Sequence, residues 1–121
     1  MNAGEFRYDI DGLAKELEVD LEDILGLYAS YFEEMNSSIT ELETNNSQEN
    51  WAMLQRAIHN IKGVSANLRI EDVFVEAEKL DHLLKANSYS EAGDYIKSII
   101  KLIEKAEQDV KNYFNEFGLK M

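Results

Sequence analysis

An uninterrupted row of apolar residues at steps of three and four runs through the last third of the sequence. Its members are Ala92, Ile96, Ile99, Ile103, Ala106, Val110, Tyr113 and Phe117. Residues at these steps lie on one side of an α-helix, whereas a half-buried strand alternates every second residue. The sequence contains no proline, the residue that most strongly breaks helices. The pattern therefore predicts a long helix with one buried face.

The same spacing predicts four earlier helices. The predicted bounds are 11–17 for a short first helix, 20 to a turn at 44–47 for the second, about 47–68 for the third, and 70 to 87 for the fourth. Asp9 or Asp11 can cap the first helix and Asp20 the second. Ser88 and Glu91 have the spacing of a capping box for the last one.

Amphipathic helices joined by short connections bury their apolar faces most easily as an antiparallel bundle. We therefore predict an all-α fold, an up-down-up-down four-helix bundle with the short first helix covering one end. The 121 residues, 45% of them apolar, are enough for one hydrophobic core and too few for two. Residues 1–121 are thus expected to form one domain.

Composition excludes several classes of protein. The absence of cysteine rules out disulfides and cysteine-ligated zinc and fits a reducing compartment. No apolar run reaches membrane-spanning length, and the first five residues lack the features of a leader peptide, so we expect a soluble, cytoplasmic protein with no membrane partner. The net charge of −12 argues against binding to nucleic acid, whose phosphates attract clustered lysine and arginine.

The third predicted helix presents a histidine to solvent. Its buried stripe consists of Leu54, Ile58, Ile61, Ser65 and Leu68. At about 100° per residue, His59 points roughly 140° away from the centre of that stripe. This direction predicts an imidazole that is available to a partner.

Two neighbours of His59 favour an anionic ligand. Gly63 lies one turn later, where a glycine costs about 1 kcal/mol relative to alanine and clears space beside the imidazole. Lys62, three residues after His59, can bring its ammonium toward the same space and neutralise an anion. A histidine beside a cation and a gap is a plausible acceptor of a phosphoryl group.

These residues resemble the signature of histidine-containing phosphotransfer (Hpt) domains. That signature is His-x-x-Lys-Gly-x-Ser/Ala-x-x-Leu/Ile, and the matching positions are His59, Lys62, Gly63, Ser65 and Leu68. In addition, Leu80 and Asp81 fall where the family usually has Leu-Glu on the next helix. Many members have glycine where Arg69 stands here, and the sequence assigns that arginine no role.

The resemblance implies a phosphorelay intermediate. His59 accepts a phosphoryl group from a receiver aspartate and passes it to another receiver, so the expected partners are response-regulator receiver domains or a hybrid histidine kinase. The receiver then supplies the metal and most catalytic groups, and this chain needs no cofactor or metal and has no kinase activity of its own. We expect Lys62 to screen the phosphohistidine, Gly63 to allow close approach and Gln55 to hydrogen-bond the phosphoryl group. Ser65 is expected to be a small packing residue bonded to its own helix backbone.

Several alternatives remain at the level of sequence. The dimerisation domain of a sensor kinase has an acidic residue after its histidine and a proline soon after, whereas this chain has Asn60 and no proline. The phosphoacceptor domain of a chemotaxis kinase, phosphorylated from ATP by a separate domain, stays possible, as does an adaptor bundle with no phosphoryl chemistry. Glu78 and His82 are one turn apart, but two ligands without a third favour an ordinary exposed pair. Aromatic residues are expected in the core or at its rim: Tyr28, Tyr31, Trp51 and Tyr113.

Overall fold

A computed structural model describes residues 8–121 and contains five α-helices within that range. They are α1 (Ile10–Leu17), α2 (Leu21–Ser47), α3 (Trp51–Asn67), α4 (Glu71–Lys85) and α5 (Ala92–Glu116). No strand occurs between residues 8 and 121, so the all-α prediction is confirmed. The predicted domain of residues 1–121 also includes residues 1–7, which lie outside the described part of the chain.

Four of the helices pack in a ring. α2 contacts α3, α3 contacts α4, α4 contacts α5, and α5 closes the ring on α2, while α1 packs on α2. The Tyr28 hydroxyl donates to the carbonyl of Leu68, and Asn60 donates to Glu34 further along, so α2 and α3 run in opposite directions. This is the predicted four-helix bundle with a short additional helix.

The predicted apolar faces are buried, with two corrections: Leu68, which caps the end of α3, is only partly buried, and the end of α5 differs from the prediction. The row from Ala92 to Tyr113 is buried, but Phe117 is 53% exposed and Phe114 takes the last core position instead. Each phenylalanine fits the helical spacing, since Phe114 lies four residues after Val110 and Phe117 lies four residues after Tyr113. Because α5 ends at Glu116, Phe117 follows the last helical residue, while Phe114 lies within the last turn and packs on Tyr113.

The boundary between α2 and α3 also differs from the prediction. α2 continues through residues 44–47 and ends at Ser47, and the chain reverses at Glu49, which has a φ of 54°. Asn50 then caps α3 by accepting a hydrogen bond from the amide of Met53 at 3.4 Å. Asparagine, serine and threonine cost a helix about 0.5 kcal/mol each relative to alanine, which is too little to end a helix that is held by packing.

The predicted capping box of α5 does not form. Glu91 itself is the N-cap residue, and no side chain makes a capping hydrogen bond there. Since a capping box needs serine at the N-cap and glutamate three residues later, Ser88 lies too early in the chain. The other predicted caps are present: Asp9 accepts from the amide of Gly12, and Asp20 accepts from that of Asp23.

A tight turn joins α3 to α4 and positions one helix against the other. Arg69 adopts a left-handed conformation with a φ of 60°, and the amide of Ile70 donates to the carbonyl of Ser65 at 2.9 Å. The Arg69 guanidinium donates to Asp9 at 2.9 Å and also pairs with Glu16 of α1. Arg69 therefore has a structural role that the sequence did not assign, since it fastens α1 to the end of the bundle.

Within residues 8–121, no helix combines the length and the apolar character needed to cross a membrane.

Candidate functional site

His59 lies in the middle of α3 and faces solvent. Its side chain is 66% exposed, whereas Ile58, Ile61 and Ser65 on the opposite side of α3 are fully buried. The orientation inferred from helical periodicity is confirmed.

The centre of the site is a buried carboxylate on the neighbouring helix. The side chain of Asp81 in α4 is only 2% exposed, and a single oxygen, Oδ2, has three basic neighbours. Lys62 Nζ lies 2.9 Å from it, Lys85 Nζ lies 3.1 Å from it, and His59 Nδ1 lies 3.7 Å from it. The packing of α4 on α3 thus joins His59 and Lys62 through a residue of another helix.

Asp81 is held in its charged form. Burial by itself raises the pKa of the Asp81 carboxyl, but hydrogen bonds from Lys62 and Lys85 and their positive charges outweigh burial and lower it below its usual range. The second oxygen, Oδ1, is buried and has no hydrogen-bond partner among residues 8–121. A buried anion therefore faces the imidazole of His59 at neutral pH.

The structure corrects the predicted position of Lys62. Sequence spacing placed its ammonium in open space beside His59, but its side chain is 21% exposed and donates a hydrogen bond to Asp81. The reason is tertiary, since the packing of α4 brings a carboxylate within reach of the lysine stem. Lys62 is one member of an interhelical ion pair.

Gly63 and Gln55 lie one turn on either side of His59. Gly63 is exposed, and a Cβ built on it meets no atom within 4 Å. No packing contact therefore requires a glycine at this position in α3. Gln55 is half-buried and lies four residues before His59 in α3.

Ser65 makes a different contact from the one predicted. Its hydroxyl shares a buried hydrogen bond of 2.7 Å with the hydroxyl of Tyr31 in α2, in place of a bond to its own backbone. Burial raises the pKa of Tyr31, so the phenol stays protonated. This bond ties the buried side of α3 to α2 and fixes the orientation of the helix that carries His59.

Two residues of the site were not predicted as such, Asp81 and Lys85. The sequence identifies Asp81 only by its match to a family position and assigns Lys85 no role. A signal for both exists in the sequence, because Asp81 follows Leu80 on the buried side of α4 and Lys85 stands four residues later, at ion-pair spacing. That spacing does not show that α3 also contributes a lysine to the same oxygen.

The remaining candidate sites are ordinary parts of the structure. Tyr28, Tyr31 and Tyr113 are buried, and the partly buried Trp51 stacks on Tyr89 with ring centroids 4.4 Å apart, as expected of core and rim aromatics. Among residues 8–121, no three His, Asp or Glu side chains come close enough together to hold a metal ion.

Comparison with protein-family models gives a match to the Hpt domain over residues 26–112, which is most of the chain. The matched range includes His59, Asp81 and Lys85. No curated protein and no solved structure matches the sequence.

Proposed function

This chain belongs to the Hpt domain family, and on that premise we propose that His59 is its phosphoryl-accepting residue. Hpt domains carry out histidine phosphotransfer in two-component phosphorelays. The observation that supports His59 is its exposed imidazole, with Nδ1 facing the buried carboxylate of Asp81 at 3.7 Å. The only other histidine, His82, has no such partner among residues 8–121.

In the proposed reaction, His59 attacks the aspartyl phosphate of a receiver domain. The lone pair of Nε2 forms the N–P bond as the bond between phosphorus and the acyl oxygen breaks, and the receiver aspartate leaves as a carboxylate. Onward transfer is the reverse reaction with a second receiver. Such a transfer depends on in-line positioning and charge neutralisation, and this chain needs no general base for it.

Asp81 has two roles in this proposal. As an ionised carboxylate it only accepts hydrogen bonds, so it favours the tautomer of His59 with the proton on Nδ1 and the reactive lone pair on Nε2. After attack, the proton stays on Nδ1 and the ring becomes positively charged, which Asp81 stabilises. The distance of 3.7 Å exceeds that of a hydrogen bond, and we expect it to shorten as the receiver docks, since catalytic hydrogen bonds tighten in the complex.

The other predicted site residues assist the reaction of His59. The open space at Gly63 admits the receiver surface beside the imidazole. In this proposal Gln55, one turn earlier, hydrogen-bonds the phosphoryl group. Lys62 acts on His59 by holding Asp81. The partners are receiver domains of response regulators or hybrid histidine kinases, and the receiver supplies the metal and the aspartate.

The decisive experiment is incubation with a phosphorylated receiver domain. We expect the label on this chain to be labile in acid and stable in alkali, as for phosphohistidine. His59→Gln should abolish labelling and leave the fold intact, because exposed substitutions usually change stability by no more than about 0.5 kcal/mol. His82→Gln is the matched control and should be labelled normally.

Two results would contradict the proposal. Undiminished labelling of the His59→Gln protein would place the phosphoryl group elsewhere. Partner binding and signalling that do not depend on His59 would instead favour an adaptor bundle without phosphoryl chemistry.

A further inference from the structure

Asp81 contacts two ammonium groups, although one ammonium is enough to neutralise its single negative charge. Lys62 reaches it from α3 and Lys85 from the last turn of α4, and both contact the same oxygen. Together with a neutral imidazole, these three charged side chains leave one surplus positive charge beside His59. A surplus cation next to a phosphoryl acceptor is available for an incoming anion.

The two lysines are not equivalent. Lys62 donates a hydrogen bond at 2.9 Å, and its side chain is 21% exposed between the two helices. Lys85 forms an ion pair at 3.1 Å, and its side chain is 51% exposed. Lys85 can therefore leave Asp81 without disturbing packed surface, whereas Lys62 cannot.

Both ammonium nitrogens are close to the reacting imidazole. Because each contacts the carboxylate oxygen that lies 3.7 Å from His59 Nδ1, each is within about 7 Å of that nitrogen. The lysine side chain is a flexible four-carbon stem. When it is exposed, its ammonium can move several ångströms at little cost in free energy. We therefore expect the Lys85 ammonium to reach a phosphoryl group on Nε2 of the same ring.

On the basis of the function proposed above, we propose that Lys85 is the residue that binds the phosphoryl group on His59, while Lys62 stays on Asp81. When the phosphoryl group arrives, Lys85 exchanges its contact with Asp81 for the phosphoryl oxygens. Asp81 remains neutralised by Lys62 and keeps its orientation toward Nδ1. Lys85 thus has the screening role that the sequence predicts for Lys62. Lys62 is a positioning residue that holds Asp81.

The test compares Lys85→Ala, Lys62→Ala and Lys79→Ala. Lys79 is the matched control, since it is an exposed lysine of the same helix that pairs with Glu76. Each protein is phosphorylated chemically with phosphoramidate, and the pH titration of the phosphohistidine is followed by ³¹P NMR. A cation that binds the phosphoryl group favours its dianion, so Lys85→Ala should move the titration midpoint to higher pH, and Lys79→Ala should leave it in place.

The second measurement is the equilibrium of phosphoryl transfer with a receiver domain. Lys85→Ala should shift it away from phosphohistidine by about fivefold, equivalent to about 1 kcal/mol, and Lys85→Arg should restore most of the effect because it keeps the charge. A purely structural role of Lys85 would alter stability and leave both the titration and the equilibrium unchanged.

The possible outcomes separate this inference from the proposed function. If Lys85→Ala behaves as Lys79→Ala does while Lys62→Ala moves the titration, Lys62 is the phosphate-binding residue and the inference is wrong. If phosphoramidate labels His59 but no phosphorylated receiver does, the proposed function fails, and the ³¹P titration still decides the role of Lys85.

Discussion

In the proposed function, a buried carboxylate controls the chemistry of His59. An exposed histidine alone interconverts between two tautomers and has no fixed orientation. The oxygen of Asp81, 3.7 Å from Nδ1, distinguishes the two ring nitrogens, and the lysines that surround Asp81 keep it ionised. The proposed reactive group is therefore a pair of residues, the exposed His59 of α3 and the buried, charged Asp81 of α4.

The open space at Gly63 leads to a prediction that separates stability from function. Gly63→Leu should stabilise the protein by up to about 1 kcal/mol, because leucine is the better helix former and its Cβ would meet no atom within 4 Å. It should also block phosphoryl transfer, because the new side chain fills the approach to His59. Urea unfolding and transfer rates measure the two effects.

Gly26 provides the control for this prediction. It is an exposed glycine within α2 and also has open space where a Cβ would stand. Gly26→Leu should stabilise the protein similarly and leave phosphoryl transfer unchanged. Normal transfer by the Gly63→Leu protein would show that the glycine has no part in docking.

The charge of Asp81 leads to a prediction about acid. Its pKa is lower in the folded protein than the ordinary value of about 4, so its ionisation stabilises the fold above about pH 4, and this contribution is lost as the pH falls through the folded pKa. Asp81→Asn should lower the free energy of unfolding by about 1 to 3 kcal/mol at pH 7. The difference from the unmodified protein should shrink below about pH 4.

Urea unfolding between pH 7 and pH 3 measures this difference. Asp11→Asn is the control, since Asp11 forms an exposed ion pair with Lys15 within α1 and its loss should cost no more than about 0.5 kcal/mol. A difference for Asp81→Asn that stays constant down to pH 3 would contradict the lowered pKa.

At the level of helices, the turn between α3 and α4 joins the two helices that carry His59 and Asp81. Arg69 occupies a left-handed position that favours glycine, yet its side chain binds α1 through Asp9 and Glu16. The conformational cost and the ion pairs oppose each other. The backbone of Arg69 is therefore strained, while its side chain attaches α1 to the bundle.

Two substitutions of Arg69 separate these effects. Arg69→Ala loses the ion pairs and keeps the strain, whereas Arg69→Gly loses the ion pairs and relieves the strain. We therefore expect the glycine variant to be more stable than the alanine variant by about 1 kcal/mol in urea unfolding. Equal stabilities would mean that the left-handed conformation costs nothing here.

For the whole molecule, charge and packing act in opposite directions. The ring of four helices buries a continuous apolar core, while 24 acidic side chains against 12 basic ones give a net charge of −12. Self-repulsion of like charges destabilises a compact state. Local ion pairs around Asp81 are exceptions within an acidic surface.

This balance predicts that salt stabilises the protein. Raising NaCl from about 10 to 150 mM shortens the Debye length from about 30 to 8 Å and screens the repulsion, so Tm should rise. Glu41→Gln, which removes one exposed acid from α2, should raise Tm at low salt and reduce the response to salt. A Tm that falls with salt would show that attractive ion pairs outweigh the repulsion.

The sequence by itself determined the number of helices and most of their buried faces. Helical periodicity and the absence of proline are local properties, and they predicted the five helices, the exposure of His59 and the burial of Ile58. The side of a helix that faces water follows from spacing along the chain, which is why these predictions hold. The motif around His59 likewise predicted the family to which the chain belongs.

The tertiary structure decided which distant residues meet. The contact of Lys62 with Asp81 depends on the register between α3 and α4, and the bond of Ser65 to Tyr31 depends on the register between α3 and α2. The choice of Phe114 over Phe117 for the core likewise depends on where α5 ends. Contacts between helices result from how their side chains fill the space between them, and spacing within one helix does not contain that information.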